Sequence, residues 1–360
     1  MKDLKSADIE DLTDLAVSMN QPKFRGVQLF QWIHKRGVTS FDSMTDLPLE
    51  FREELKRKTF VGLPGIAAQQ QSAVDGTRKL LLRFSDGLTA ECVIMPHEDN
   101  SGRCTVCVSS QIGCPVGCAF CATGNMGFLR NLSVSEILSQ VYLANEMGRK
   151  EQEGWHVSNV VFMGMGEPFL NYNAVLKSIR ILTNPEGMNI GQRRIVVSTS
   201  GYVPGIKKFA GEGIQVVLAV SLHAANNELR DKLVPLNRKY PLEEIAEACS
   251  YYNEKTGKRI TFEYALISGL NDSRECAVQL AKYVRLFSAN INVIPLNEVS
   301  HSEYRRSRKL QISSFVKTLE GMGVEAVIRK ERGFDIAGAC GQLCASVNKR
   351  IKSGGICEKR

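Results

Sequence analysis

From Cys104 onward, short apolar runs alternate with amphipathic helical stretches, and this alternation restricts the chain to a parallel sheet covered by helices. The apolar runs are VSNVVFMGMG, RRIVVSTSG, IQVVLAVSLH, RITFEYALISG and NINVIPLN. Between and after them lie NAVLKSIRILT, IKKFAGEG, LEEIAEACSYYNEKTG and helices predicted over residues 275–287 and 311–321. About six such units predict an α/β fold built as a (β/α)6 barrel, open or closed, whose chemistry should gather where the strands end and the loops begin. The polar and glycine-rich endings MGMGEP, STSG, SLH and PLNE all fall there.

Ahead of the barrel, the run FRGVQLFQWIHKRG spaces Phe24, Val27, Leu29, Phe30, Trp32 and Ile33 at roughly helical intervals, and LEFREELKRK follows Pro48. A small N-terminal helical domain over residues 1–62 is expected, its aromatic rings serving as core and not as a base-stacking platform. TRKLLLRF and LTAECVIM flank Ser85-Asp86-Gly87 and predict a β-hairpin extension within a linker of residues 63–103. The barrel core then spans 104–325, and 326–360 forms a C-terminal segment with a basic tail.

The chain carries a formal charge of +8, and residues 301–360 alone hold 13 Lys/Arg against 6 Asp/Glu. Such an excess suits a polyanionic partner and equally suits a solvated face. The charged start MKDLKSADIEDL lacks the apolar stretch of a secretory signal, and no apolar run approaches the ~20 residues that span a bilayer, so a cytoplasmic location without membrane association is expected. In that reducing compartment the eleven cysteines point to metal ligation or thiol chemistry, not to a disulfide framework.

Five of the eleven cysteines lie between Cys104 and Cys121. CPVGCAFC spaces Cys114, Cys118 and Cys121 as C-x3-C-x2-C on a loop. Three thiolates can hold three irons of a cubane [4Fe-4S] cluster and leave the fourth iron open to a further ligand. A second reading joins Cys104-x2-Cys107 to Cys118-x2-Cys121 as a zinc ribbon, leaving Cys114 idle and making the chain a non-enzymatic zinc-bearing RNA-binding module. Cys92, Cys249 and Cys276 fall in strand or helix patterns and read as small buried hydrophobes.

The C-x3-C-x2-C loop resembles the signature of the radical S-adenosylmethionine (SAM) superfamily, in which SAM supplies the ligands missing at the open iron. Phe120, just before the third cysteine, fits that loop, and MGMGEP resembles the motif that holds the SAM amino group. VCVSSQIGCPVGCAFCATGNMGFLRNLS, MGMGEP, STSG, SLHAANNELRDKLVPLN and DIAGACGQL together resemble the RlmN/Cfr family of RNA adenine methyltransferases over most of the chain. The resemblance implies that Cys114, Cys118 and Cys121 bind one [4Fe-4S] cluster per chain, and that Gly166, Glu167, Ser198, Ser221, Leu222, His223 and Asn297 cradle SAM. It makes Cys340 of ACGQL the methyl-carrying cysteine, Cys107 the second catalytic cysteine and Glu91 a proton acceptor. Cys104, Cys344 and Cys357 match no motif of the family.

The implied reaction is methylation of an adenine of 23S rRNA at carbon 2, with the adenine next to the tRNA anticodon as a further substrate; the related branch methylates carbon 8. Adenine C2 lies between two ring nitrogens and is electron-poor, so polar methyl transfer cannot start there, whereas a thiolate accepts a methyl group readily. Two SAM molecules are consumed per turnover, one methylating Cys340 and one supplying a radical. A disulfide between Cys107 and Cys340 closes the cycle. An electron donor such as flavodoxin or ferredoxin, an RNA-binding role for the N-terminal domain and a monomeric state complete the expectation.

Overall fold

The computed structural model describes residues 1–99, 101–299 and 302–344; the basic tail beyond residue 344, with Cys357, lies outside the described residues. The N-terminal segment forms β1 (Lys2–Asp3), α1 (Ile9–Ser18), α2 (Phe24–Phe30), α3 (Leu49–Lys58) and β2 (Thr59–Phe60), with β1 and β2 pairing in parallel. Helix α1 begins at a capping box, the Asp11 amide donating to the Asp8 carboxylate at 3.0 Å and the Asp8 amide donating back at 3.2 Å. Phe30, Trp32, Phe41 and Phe51 are buried, so the aromatic residues of this segment build a core.

The main sheet starts with β3 (Gly65–Gln71), β4 (Arg78–Arg83), β5 (Thr89–Pro96) and β6 (Arg103–Cys107), each antiparallel to the one before. The expected hairpin is β4–β5, turning at Gly87 with φ of 81°. Strand β3 is exposed along its whole length and carries no apolar alternation, which is why pattern alone does not predict it. After β6 a small antiparallel pair, β7 (Gln111–Gly113) and β8 (Phe128–Asn131), brackets the cysteine loop and the short helix α4 (Ala122–Met126). Helix α5 (Val134–Arg149) follows, opened by a capping box between Ser133 and Glu136.

The strands β9 (His156–Phe162), β10 (Ile195–Thr199), β11 (Val217–Ser221), β12 (Ile260–Leu266), β13 (Ala289–Pro295) and β14 (Ala326–Ile328) then continue from β6 in parallel. Their crossovers are α6 (Tyr172–Thr183), α7 (Val203–Ala210), α8 (Asn227–Leu233) with α9 (Leu242–Thr256), α10 (Arg274–Val284) and α11 (Lys309–Gly321). The ten-stranded ladder ends at β3 on one side and β14 on the other, so the six β/α units form an open, partial (β/α)6 barrel. Among the described residues no helix is long and apolar enough to cross a membrane.

The N-terminal helices dock on α5 through a buried histidine. His34 donates from Nε2 to the Ala7 carbonyl at 3.0 Å, and its Nδ1 accepts from the Tyr142 hydroxyl. Burial lowers the His34 pKa from 6.5 to about 3, so the ring is neutral in the fold. A histidine whose folded pKa is depressed contributes stability that is complete above the unfolded pKa and is lost as pH falls toward the folded one. His34 should therefore cost roughly 2 kcal/mol at pH 5 relative to pH 7. Replacing His34 with Asn should flatten the stability profile between pH 6.5 and pH 4 in denaturant titrations; a slope identical to the parent's would refute this assignment.

Candidate active site at the strand carboxyl ends

Strand β9 runs into Met163-Gly164-Met165-Gly166-Glu167. Gly166 has φ of 100°, and a Cβ there would lie 2.5 Å from the Gln111 side chain, so the turn admits glycine alone. The tight turn buries Glu167, whose carboxylate accepts from the Phe169 amide at 3.1 Å and from both the amide and hydroxyl of Ser200 at 2.7 Å. Burial raises its pKa while the Ser200 bonds pull it back down.

The neighbouring strand ends are knitted together by Arg230 of α8, a fully buried guanidinium. It donates to the carbonyls of Ser200 at 2.6 Å, Leu222 at 3.0 Å and Ser221 at 3.2 Å, and to Asn237 Oδ1 at 2.9 Å. The hydroxyls of Ser198 and Ser221 consequently meet at 3.2 Å. His223 adopts φ of 60°, and its Nδ1 accepts from the Ala265 amide at 2.9 Å. Burial lowers its pKa to about 3, which leaves the ring neutral with its proton on Nε2. The Phe120 ring of the cysteine loop packs edge-on against His223, with centroids 4.7 Å apart.

These groups enclose a cavity of about 160 Å³. Cys114, Cys118, Cys121, Gly166, Glu167, Ser198, Ser221, His223, Asn297 and Cys340 all line it. Leu222 does not; it is fully buried behind the wall, where its carbonyl accepts from Arg230. Burial pushes the Cys114 thiol up to about 12, Cys118 well above the ordinary range and Cys121 upward. Three thiols that line one chamber can each hold one iron of a cubane cluster. Binding would deprotonate them. Asn297 donates to the Cys340 carbonyl at 3.0 Å while its buried Oδ1 has no partner among the described residues, an acceptor placed for a ligand hydroxyl or ammonium.

A second, smaller cavity of about 50 Å³ adjoins the first and shares Met163, Ile294, Asn297, Arg329 and Cys340 with it. Cys107, at the end of β6, lines this side cavity, so Cys340 faces the three-cysteine chamber on one side and Cys107 on the other. Burial pushes the Cys107 thiol up to about 12, and Arg329 in the shared wall opposes that rise. Arg329 pairs with the buried Glu263 at 3.4 Å, and Asn292 donates to Glu263 at 2.9 Å. Glu91 lines neither cavity; its carboxylate accepts from the Cys344 amide at 2.7 Å and lies 3.7 Å from Lys79 Nζ.

The zinc-ribbon alternative fails on register. Cys104 pairs with Pro96 and Cys107 with Val93, three positions apart on β6, so their side chains leave opposite faces of the strand and cannot form one knuckle. Sequence reasoning did not single out Ser200, Arg230, Glu263 or Arg329. Glu263 had a legible signal, an acid alternating with Thr261 and Ala265 in an otherwise apolar strand.

Residues 108–281 match the Radical SAM superfamily, and residues 2–61 match the ribosomal RNA large subunit methyltransferase N-terminal domain. A probable dual-specificity RNA methyltransferase RlmN of Moorella thermoacetica is 48% identical over 343 residues, covering 95% of this chain and 96% of the relative. Its counterpart in Syntrophomonas wolfei is 44% identical over 347 residues, 95% of this chain and 97% of the relative. The crystal structure of a radical SAM methyltransferase from Sphaerobacter thermophilus superimposes with a TM-score of 0.91 at 44% identity, covering 96% of this chain and 100% of that one.

The Arg230 network yields a direct test. Arg230→Met leaves four buried acceptors without their donor and should destabilise the fold by roughly 3–5 kcal/mol, while Arg230→Lys, which cannot reach all four, should recover only part of that. Urea unfolding measures both, and a loss below about 1 kcal/mol for Arg230→Met would show that the strand ends hold without it.

Proposed function

The chain belongs to the RlmN family of radical SAM methyltransferases, and on that premise we propose that it methylates carbon 2 of an adenine in 23S rRNA and of the adenine next to the tRNA anticodon. The observation that carries this reading is the position of Cys340, which lines both the three-cysteine chamber and the side cavity holding Cys107. A carrier that must meet a methyl donor on one side and an acceptor base and a second thiol on the other needs that position. The donor set fits the implied groups: Cys114, Cys118 and Cys121 would hold one [4Fe-4S] cluster, and Glu167, Ser198, Ser221, His223 and Asn297 would cradle SAM.

When bound, the cluster supplies the electron that splits SAM into methionine and a 5′-deoxyadenosyl radical. Cys340 Sγ, as the thiolate, takes the methyl group of a first SAM by displacement and in this way consumes one of the two SAM molecules used per turnover. Its methyl group then gives up a hydrogen atom, and the resulting carbon-centred radical adds to adenine C2, joining Cys340 to the RNA. Once the adduct has lost the C2 proton, for which the family likeness offers Glu91 as acceptor, and its unpaired electron, which the oxidised cluster would take back, Cys107 Sγ as the thiolate attacks Cys340 Sγ. The carbon–sulfur bond to the RNA breaks, its electron pair stays on the methylene carbon and takes up a proton, methylated adenine is released and a Cys107–Cys340 disulfide remains.

A base held between two protein thiols has left its stack, so naked or partly assembled rRNA is the proposed substrate, with residues 1–62 contributing to its recognition. A flavodoxin or ferredoxin is the proposed electron donor and the monomer the proposed working unit. The proposed division of the chain is an RNA-binding domain (1–62), a hairpin linker (63–103), a barrel core (104–325) and a C-terminal segment carrying Cys340 (326–360).

Cys107→Ala should accumulate a covalent protein–RNA adduct visible as a shifted band, and Cys340→Ala should give none. Normal turnover by Cys107→Ala would overturn the assignment. Mass spectrometry of digested RNA after incubation with methyl-labelled SAM should find the label at C2; label at C8 would move the chain to the other branch.

A further inference from the structure

The loop that carries Cys340 is held on both flanks by one ion pair of the β4–β5 hairpin. Lys79 Nζ donates to the Ala337 carbonyl at 3.2 Å, three residues before Cys340, and Glu91 Oε2 accepts from the Cys344 amide at 2.7 Å, four residues after it. The two side chains are 3.7 Å apart and nearly buried, at 12% and 9% exposure. In the ladder, Leu81 faces Glu91 and Lys79 faces Val93, so Lys79 and Glu91 are diagonal neighbours on one face of the hairpin. They form a single bracket whose arms reach opposite ends of the loop.

The loop needs such a bracket. Ala337 adopts φ of 49°, a left-handed conformation that a residue with a Cβ holds only where its surroundings impose it. Further anchors come from the cluster side, where the Ala122 amide donates to the Gly341 carbonyl at 2.8 Å and Thr123 Oγ1 to the Leu343 carbonyl at 2.6 Å, and from the loop after β13, where Asn297 donates to the Cys340 carbonyl at 3.0 Å and the Glu298 carbonyl accepts from Gln342 at 2.9 Å. Cys340 is thus suspended between the cysteine loop, the loop after β13 and the hairpin. Glu91 lines neither cavity, and its oxygens engage Lys79 and the Cys344 amide.

We propose that Lys79 and Glu91 are positioning residues that together hold residues 337–344 so that Cys340 faces both cavities. This rests on the reading of Cys340 as the methyl carrier, and it gives Glu91 a part in the first half of the cycle, before any proton is removed from RNA.

Two measurements on the full chain test it. Hydrogen exchange at residues 337–344 reports the bracket without any turnover, and mass spectrometry of the Cys340 peptide after incubation with methyl-labelled SAM, without RNA, reports the first methyl transfer. Glu91→Ala and Lys79→Met should each speed exchange at the Cys344 amide and lower Cys340 methylation, both by roughly tenfold, while Glu91→Gln, which keeps an acceptor oxygen, and Lys79→Arg should stay within about threefold of the parent. If Glu91→Ala methylates Cys340 at the parent rate, Glu91 serves only the later proton transfer and the proposal fails. Unchanged exchange in both Glu91→Ala and Lys79→Met also overturns it. If the parent never methylates Cys340, the functional reading fails while the exchange result still decides whether the bracket exists.

Discussion

Parallel pairing of β6 and β9 to β14 is the constraint from which the site descends. A parallel ladder brings every strand's carboxyl end to one rim, so loops that are far apart in sequence open into the same space. Ser221, Glu263 and Asn292 sit side by side on three consecutive strands, and each contributes a polar group to the barrel interior. The rim would fray without a binder, because the carbonyls emerging from β10 and β11 have left their ladder. Arg230 satisfies them from the side, and its burial is tolerable because its charge is spread over four acceptors.

The interior formed in this way is poorly solvated, and its electrostatics follow from that. Thiols, carboxylates and the imidazole that line it are all shifted toward their neutral forms by burial. A chamber of neutral groups costs little to close, yet each thiol becomes an anion once a metal takes the place of its proton. Arg329 is the exception, a permanent cation in the wall between the two cavities, compensated by Glu263. Permanent charge in this wall therefore lies between the cavity lined by the three loop cysteines and the one lined by Cys107.

The strand–helix alternation, the cysteine spacing and the polar strand ends were legible because each is a local pattern, with period or spacing written in consecutive residues. The barrel follows from them, and the family resemblance carried by the motifs adds ten of the cavity-lining residues. What escaped reading is non-local or silent in hydropathy. Strand β3 is exposed throughout and shows no alternation. Helix α5, the crossover between β6 and β9, is set off from β6 by the cysteine loop and the β7–β8 pair. Leu222 sits inside a motif whose serine and histidine face the cavity while it faces the core, a difference of one position along a strand end. The contacts of Glu91 with Cys344 and of Lys79 with Ala337 span more than 250 residues and leave no trace in either local pattern.

The histidine seated between α2 and α5 has a consequence for how this protein meets polyanions. Its two bonds are made by uncharged groups out of contact with water, so counterions have nothing to screen there, whereas basic surface side chains lose their hold on phosphates as ionic strength rises. Salt concentrations that release a nucleic acid would leave this joint seated, and the N-terminal domain would stay mounted and ready for the next encounter.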